Sequence, residues 1–236
     1  MWKLIGFHNS KPTGFHNASR RVLLAVMDTS SSAAAVPVPP TRERLLDAAA
    51  RLFYTHGVSV GVDALCQAAG VSKKSMYQLF GSKEELLAAA LRRSVPGYLA
   101  ALIPPDASAM TGADRILILF GRLEAVVADP AFQGCPYVSV ATEIKLPEHP
   151  ARIVAREFHD TLTEYFRVAA ADAGAEDPLL LAQQLTMVHD GIAARAVVQG
   201  RPTPGLAVIT AKNLLGVASA HVDDAAQGHN DVPARG

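Results

Sequence analysis

The stretch that decides the fold runs from Val62 to Phe80 and reads VDALCQAAGVSKKSMYQLF. Two short segments of helical pattern, about 62–69 and 73–79, flank Gly70, which permits a tight turn between two helices. The small side chain of Ala69 allows the helices to approach closely. Met76 and Phe80 lie one helical turn apart and mark the face that packs against the core. The stretch therefore predicts a helix-turn-helix of the DNA-binding kind.

The outward face of the second helix is polar and basic. Its residues are Lys73, Lys74, Ser75, Tyr77 and Gln78. Lys73 and Lys74 fall in the first turn, where the helix dipole disfavours cations. Because phosphates and base edges supply compensating acceptors, the pair indicates that this face meets DNA. The alternatives are an ordinary solvated lysine pair and, for Tyr77, partial burial in the core.

The rest of the chain reads as one helix after another. Pro40 stops any upstream helix, Thr41 is predicted to be an N-cap, and Gly57 ends the first helix. Ser82 and Glu85 form a capping box that opens a fourth helix. No period-2 alternation of convincing length is present, so the predicted fold class is all-α: a three-helix head and a larger helical domain. Further helices are predicted over 112–128, 138–145, 151–173, 178–200 and 204–219.

Residues 41–90 resemble the N-terminal domain of the TetR family of one-component transcriptional regulators. The resemblance is carried by TRERLLDAA at 41–49, LF at 52–53, Gly57, AGVSK at 69–73, MY at 76–77, Phe80 and SKEELL at 82–87. One departure is Gly61, where the family usually has Ser or Thr before the second helix. Glycine is tolerated as an N-cap, but a hydroxyl–phosphate contact is absent there.

The resemblance implies a DNA-binding role for eight residues. Those that would meet base edges or phosphates in the major groove are Lys73, Lys74, Ser75 and Gln78. Tyr77 would stack or hydrogen-bond against the DNA backbone. Lys83 would clamp a phosphate at the start of its helix. Thr41 and Arg44 would touch the flanking backbone.

The resemblance also implies that residues 88–220 form an effector-binding and dimerisation domain. The candidate pocket residues, for each of which a core or surface position is the alternative, are Phe120, Tyr137, Phe158, Tyr165, Met187, His189 and Asp190. Two helices from each subunit would form a four-helix bundle. Its apolar residues would be Leu179, Leu180, Ala182, Leu185, Val188, Ile192, Ala196, Leu206, Ile209, Leu214 and Val217, with Ala193, Ala194, Ala207 and Ala211 at close crossings.

Pro96 lies in the helix that would join the head to this domain. It removes an N–H and clashes with the preceding turn, so it either kinks the helix or ends it near Val95. We expect ligand binding to shift the part beyond Pro96 and to change the separation of the two heads of a dimer.

Composition narrows the function classes. The 236 residues are 50% hydrophobic and have a formal net charge of zero. Residues 41–102 carry eight lysines and arginines against five acids, whereas residues 103–236 carry ten against sixteen. A polyanion partner therefore fits the N-terminal end. No apolar run approaches the roughly 18 residues of a membrane span. Cys66 and Cys135 fit free thiols in a reducing cytoplasm.

Catalytic and metal sites are not expected. Cys135 and His149 with an acid lack the sequence context of a cysteine nucleophile. The other candidate metal ligands, His159, His189 and His221, are scattered without ligand spacing. We therefore predict no catalytic residue, no metal and no cofactor.

The whole pattern predicts a cytoplasmic, non-enzymatic repressor. We expect it to bind a palindromic double-stranded DNA operator as a homodimer, to be released by an unknown small-molecule effector, and to have no membrane partner. An activator of the same fold is one alternative, and a helical small-molecule-binding protein or enzyme is another. Residues 1–40 are predicted to be a disordered leader or to result from a start codon assigned too far upstream. Residues 41–87 are predicted to be the DNA-binding domain, and residues 221–236 a flexible tail.

Overall fold

The computed structural model describes residues 39–227, with side chains as far as Gly216. The predicted leader, apart from Pro39 and Pro40, and residues 228–236 of the predicted tail lie outside the described residues. Within the described residues every regular element is helical, as the all-α prediction requires. The helices are α1 (Thr41–His56), α2 (Val62–Ala69), α3 (Lys73–Phe80), α4 (Lys83–Leu102), α5 (Gly112–Val127), α6 (Pro136–Glu143), α7 (Pro150–Asp172), α8 (Pro178–Gln199) and α9 (Leu206–Gln227). A 3-10 turn, Ala107–Ala109, lies between α4 and α5.

The first three helices form a head whose small core is apolar. Leu45 and Ala49 on α1, Leu65 on α2 and Met76 on α3 are completely buried. These residues recur at helical spacing, so one stripe of each helix faces the shared core and the other faces solvent.

Glycine and serine set the ends of the head helices. Gly70, at φ 62° and ψ 44°, adopts the left-handed conformation after α2 that a side chain would disfavour. The hydroxyl oxygens of Ser72 and Ser82 each accept the backbone N–H three residues further on, at 3.1 Å. Both serines are therefore N-caps. The predicted capping box is only half formed, because the N–H of Ser82 donates to the carbonyl of Phe80 at 2.8 Å and not to Glu85.

α4 connects the head with the remaining helices and packs against α1 and α7. Pro96 lies inside it and the helix continues to Leu102, so Pro96 does not end it. Residues 83–109 are long and apolar enough to cross a membrane, judged by length and composition only. No such segment is predicted from the sequence. However, Leu86, Leu87 and Leu91 of this stretch are buried in the protein core.

The larger unit is built around α7, which packs against α4, α5, α6 and α8. The start of α5 crosses the end of α7 so closely that a Cβ on Gly112 would overlap the carbonyl oxygen of Ala169 and lie 2.6 Å from the backbone nitrogen of Ala173. At the start of α9, the Glu124 carboxylate accepts backbone N–H bonds from three residues at 2.8–3.3 Å. A side chain from α5 thus caps α9 across the fold.

Several predicted boundaries are wrong, including the following three. Thr41 is the first residue of α1, not its cap, which is Pro40 without a side-chain hydrogen bond. α6 begins at Pro136 rather than at 138, because proline is compatible with the first helical turn. α9 continues to Gln227, eight residues beyond the predicted helix end at 219.

Candidate nucleic-acid interface

α3 is held against the head by the side that the sequence indicated. Met76 is completely buried and Phe80 is 9% exposed. The Arg42 guanidinium lies 5.3 Å from the centre of the Phe80 ring, a cation–π contact that adds to this anchoring. The opposite side of α3 is consequently fixed in direction and free of packing.

That opposite side carries most of the predicted DNA contacts. The exposed residues are Lys73, Lys74, Tyr77 and Gln78. Tyr77 is 48% exposed, so its ring is not part of the core. Ser75 is half-buried, and its hydroxyl lies 2.9 Å from that of the N-cap Ser72.

The two lysines of α3 have different surroundings. Nζ of Lys73 lies 2.6 Å from Oδ1 of Asp63 on α2, and this hydrogen bond raises the pKa of Lys73. Lys74 has no hydrogen-bond or ion-pair partner among the residues that the structure describes. Lys73 is thus paired within the head, whereas Lys74 is left available to an external anion.

Three other predicted contacts are turned toward the protein. Nζ of Lys83 donates to two carbonyls of the α1–α2 loop at 2.9 and 3.2 Å. Arg44 donates through Nη1 to the carbonyl of Gly70 at 3.4 Å, and its Nη2 lies 3.5 Å from Oγ1 of Thr41. These side chains tie the loops of the head together.

Sequence reasoning missed two residues at this surface. Asp63 is ten positions before Lys73, so no helical spacing rule links the pair; the turn at Gly70 brings them together. Leu79, 42% exposed, places an apolar side chain beside the polar face of α3. Its helical position, between the inward Met76 and Phe80, leaves its direction open from sequence alone.

Comparison with known proteins bears directly on this surface. The family description "Bacterial regulatory proteins, tetR family" matches residues 45–90. A solved structure described as a TetR transcriptional regulator from Streptomyces avermitilis has 48% sequence identity and a TM-score of 0.74, covering 77% of this chain and 99% of that one. This chain belongs to the TetR family.

A more distant TetR-family regulator, from Streptomyces coelicolor, shows the same fold. It has 23% identity and a TM-score of 0.62, and the alignment covers 78% of this chain and 95% of that one. No curated protein matches the sequence significantly.

In this TetR-family chain, several predicted effector residues lie in two buried groups of aromatic rings, which we together call the aromatic cluster. The rings of Tyr137 and Phe158 stack with centroids 3.9 Å apart, and Tyr98 lies edge-on to both at 5.5 and 5.3 Å. Phe120 stacks on Phe166 at 5.6 Å. All but Tyr98, which the sequence analysis did not single out, are 0–1% exposed.

The polar candidates lie at the edge of this cluster. His189 is completely buried; its Nδ1 lies 3.0 Å from Asp190, and its Nε2 has no partner within the described part of the chain. The hydroxyl of Tyr165 is likewise buried and unpaired there. His159 lies 3.6 Å from Asp190, and burial lowers its pKa. Met187 is 72% exposed on the outside of α8 and is not brought to the cluster.

Proposed function

We propose that this chain is a cytoplasmic, ligand-responsive repressor that binds a palindromic operator as a homodimer. The observation that carries the proposal is the two-sided character of α3. Lys74, Tyr77 and Gln78 are exposed on the side opposite the buried Met76 and Phe80. The major groove, about 12 Å wide, admits a helix presented in this way.

Each exposed side chain suits a different DNA contact. The ammonium of Lys74 would pair with a phosphate, because it lacks an internal partner. Gln78 has the donor and acceptor that an adenine edge requires. Tyr77 would stack or hydrogen-bond against the backbone. Lys73 would approach the DNA while paired with Asp63, so it would contribute less net positive charge than Lys74. These assignments separate positioning contacts from sequence readout.

Supporting contacts come from the inward-turned residues. Lys83 has a third N–H beyond its two loop carbonyls, which would be available to a phosphate. Thr41, Arg44 and Ser75 would act mainly by fixing the head, because both Nη atoms of Arg44 and the hydroxyls of Thr41 and Ser75 already have protein partners.

An exposed stripe on α8 supports the homodimer. Leu180, Met187, Gly191, Ala194 and Val198 follow one another at spacings of seven, four, three and four residues, so they share one side of the helix. Leu180, Met187 and Val198 are 51%, 72% and 80% exposed. An apolar stripe of this length in solvent favours association. Other predicted bundle residues are buried within the chain instead: Ala182, Leu185, Ile192, Ala193, Ala207 and Ala211.

The dimer has a direct test. Replacing Met187 by Asp places a charge in the middle of the stripe, so the mass in sedimentation should fall from twice the 24.9 kDa of one chain toward a single chain. Leu146→Asp is the matched control, since Leu146 is 60% exposed on the loop after α6. A dimer that survives Met187→Asp unchanged would place the interface elsewhere.

The aromatic cluster supports an effector site in the larger unit. The Tyr165 hydroxyl and His189 Nε2 are buried polar atoms without a partner among the described residues, and such atoms cost about 1–3 kcal/mol each when unsatisfied. A ligand with an apolar body and a polar group would satisfy them. We propose that such an effector rearranges the cluster, moves α4 relative to the rest, and so changes the separation of the two heads.

The DNA-binding proposal is tested by selecting duplexes from a random pool with the purified protein and by footprinting the protein on the enriched duplexes. We expect two inverted half-sites with centres about 34–36 Å apart. Gln78→Ala should relax base preference within each half-site, whereas Arg156→Ala, an exposed cation on α7, should leave it unchanged. No enrichment of any sequence would contradict the proposal.

Repression is tested with a reporter that carries the selected site across its promoter. Expression of the protein should lower transcription, because the bound dimer occludes the promoter. A rise in transcription that depends on the site would instead identify an activator.

A further inference from the structure

A cavity of about 340 Å³ lies between the head and the larger unit, apart from the aromatic cluster. We call it the junction cavity. Its walls are the C-terminal half of α1, the α1–α2 loop, the middle of α4, and α6 with the segment before it. The volume falls within the range of about 300–1,000 Å³ that small-molecule sites occupy.

The junction cavity is apolar on one side and polar on the other. Phe53, Leu87 and Leu91, all at most 8% exposed, form the apolar side. Ser94 and Ser139 contribute hydroxyls on the polar side. Ser94 donates its proton to a carbonyl of its own helix at 3.0 Å, so its oxygen is left to accept.

Glu143 supplies the charge. Its Oε2 accepts the backbone N–H of Val58 at 3.0 Å, whereas its Oε1 has no hydrogen-bond partner among the described residues. The carboxylate is seated on Gly57: a Cβ there would lie 2.8 Å from Oε2 and 3.3 Å from Oε1. A glycine at φ 75° thus makes room for this carboxylate at the cavity wall.

No described lysine or arginine lines the cavity to neutralise Glu143. The other titratable lining residues are His56 and Tyr54, and burial raises the pKa of Tyr54 to about 12, which keeps its phenol neutral. His56 is exposed and shares a 2.7 Å hydrogen bond with Thr55. The cavity therefore has an apolar side, hydroxyl acceptors and an unneutralised carboxylate.

We propose that the junction cavity binds a small amphipathic organic cation, an amine carried on a compact apolar body, with its ammonium on Oε1 of Glu143. The apolar body lies against Phe53 and Leu91, and Ser94 accepts from the ammonium. A partly exposed carboxylate gives selectivity for charge more than tight binding.

The position of the cavity links this site to the head. The head and α6 are joined at its rim by the Val58–Glu143 bond and by a 2.8 Å bond from the Gln133 N–H to the Tyr54 hydroxyl oxygen. An ammonium on Oε1 draws negative charge away from Oε2, which weakens the bond from the Val58 N–H and loosens this connection. On the basis of the proposed function, the amine and the operator then alter each other's affinity by the same factor.

The test uses 2-phenylethylamine, 2-phenylethanol and phenylacetate, which share one apolar body and differ in charge. Binding to the full chain is measured by calorimetry without DNA, so its outcome is independent of operator binding. We expect the amine to bind about fivefold more tightly than the alcohol and phenylacetate to bind most weakly. Glu143→Gln should reduce the amine to the affinity of the alcohol, and Glu148→Gln, an exposed acid outside the cavity, should change nothing.

A second variant guards against an effect of Glu143→Gln on folding. Ser94→Leu fills the cavity from a helical position and should abolish binding of both the amine and the alcohol, while circular dichroism shows an intact helical fold. The proposal is overturned if phenylacetate binds as tightly as the amine, if Glu143→Gln keeps the preference for the amine, if Ser94→Leu still binds it, or if none of the three binds.

Discussion

The head and the larger unit are both helical, but they are held together by interactions over different distances along the chain. In the head, α2 and α3 have eight residues each, and Gly70 and Ser72 set their adjoining ends through local geometry. In the larger unit, Glu124 caps α9 from more than eighty positions away. Short-range signals therefore set the helix ends beside the surface proposed to meet DNA, whereas long-range packing defines the part that would sense a ligand.

The largest effect is expected at the anchor of α3. Met76→Ala removes a completely buried side chain and should lower the free energy of unfolding by about 2–5 kcal/mol. Leu79→Ala, on the same helix but 42% exposed, should change it by no more than about 0.5 kcal/mol. Chemical denaturation of both variants checks this. Equal losses would mean that α3 is not oriented as described.

The next effect tests close packing in the larger unit. Gly112→Ala forces a methyl group against the backbone of α7 and should cost about 1–3 kcal/mol. Gly121→Ala on the same helix meets open space and should stabilise by about 0.5–1 kcal/mol, since alanine favours a helix. Thermal unfolding should move in opposite directions for the two variants. A shift of the same sign would contradict the crossing of α5 and α7.

A smaller pair of changes compares a local cap with a distant one. Ser72→Ala removes the N-cap of α3, and Glu124→Ala removes the cap that α5 supplies to α9; each should cost about 0.5–2 kcal/mol. Hydrogen exchange should separate them. We expect faster exchange in α3 alone for the first variant, and in both α5 and α9 for the second. Exchange confined to α5 in the second would mean that Glu124 does not hold α9.

The same contrast explains what the sequence could predict. The helix-turn-helix, the glycine at its turn and the serine caps depend on neighbours within four residues, so spacing alone predicts them. The partner of Lys73 lies across a turn, and the partners of Lys83 are more than twenty positions away in the chain. The sequence does not reveal these partners, so both lysines are predicted from their charge alone to contact phosphates. Periodicity could not show which apolar residues of α8 face inward, because both sides of the helix are apolar. For this reason Met187 is predicted to line the pocket but lies on the exposed side of α8.

The most direct test of the account is the salt dependence of binding to a selected duplex, measured for variants of α3. Lys74→Ala should reduce the slope of log affinity against log salt by about one. The variant loses one lysine–phosphate contact, and each such contact releases about one counterion from the DNA. The double variant Asp63→Asn with Lys73→Ala removes a neutral pair and should change the slope less, and Arg156→Ala should not change it. A slope for Lys74→Ala that equals that of the unaltered protein would contradict the proposal that this face of α3 binds DNA.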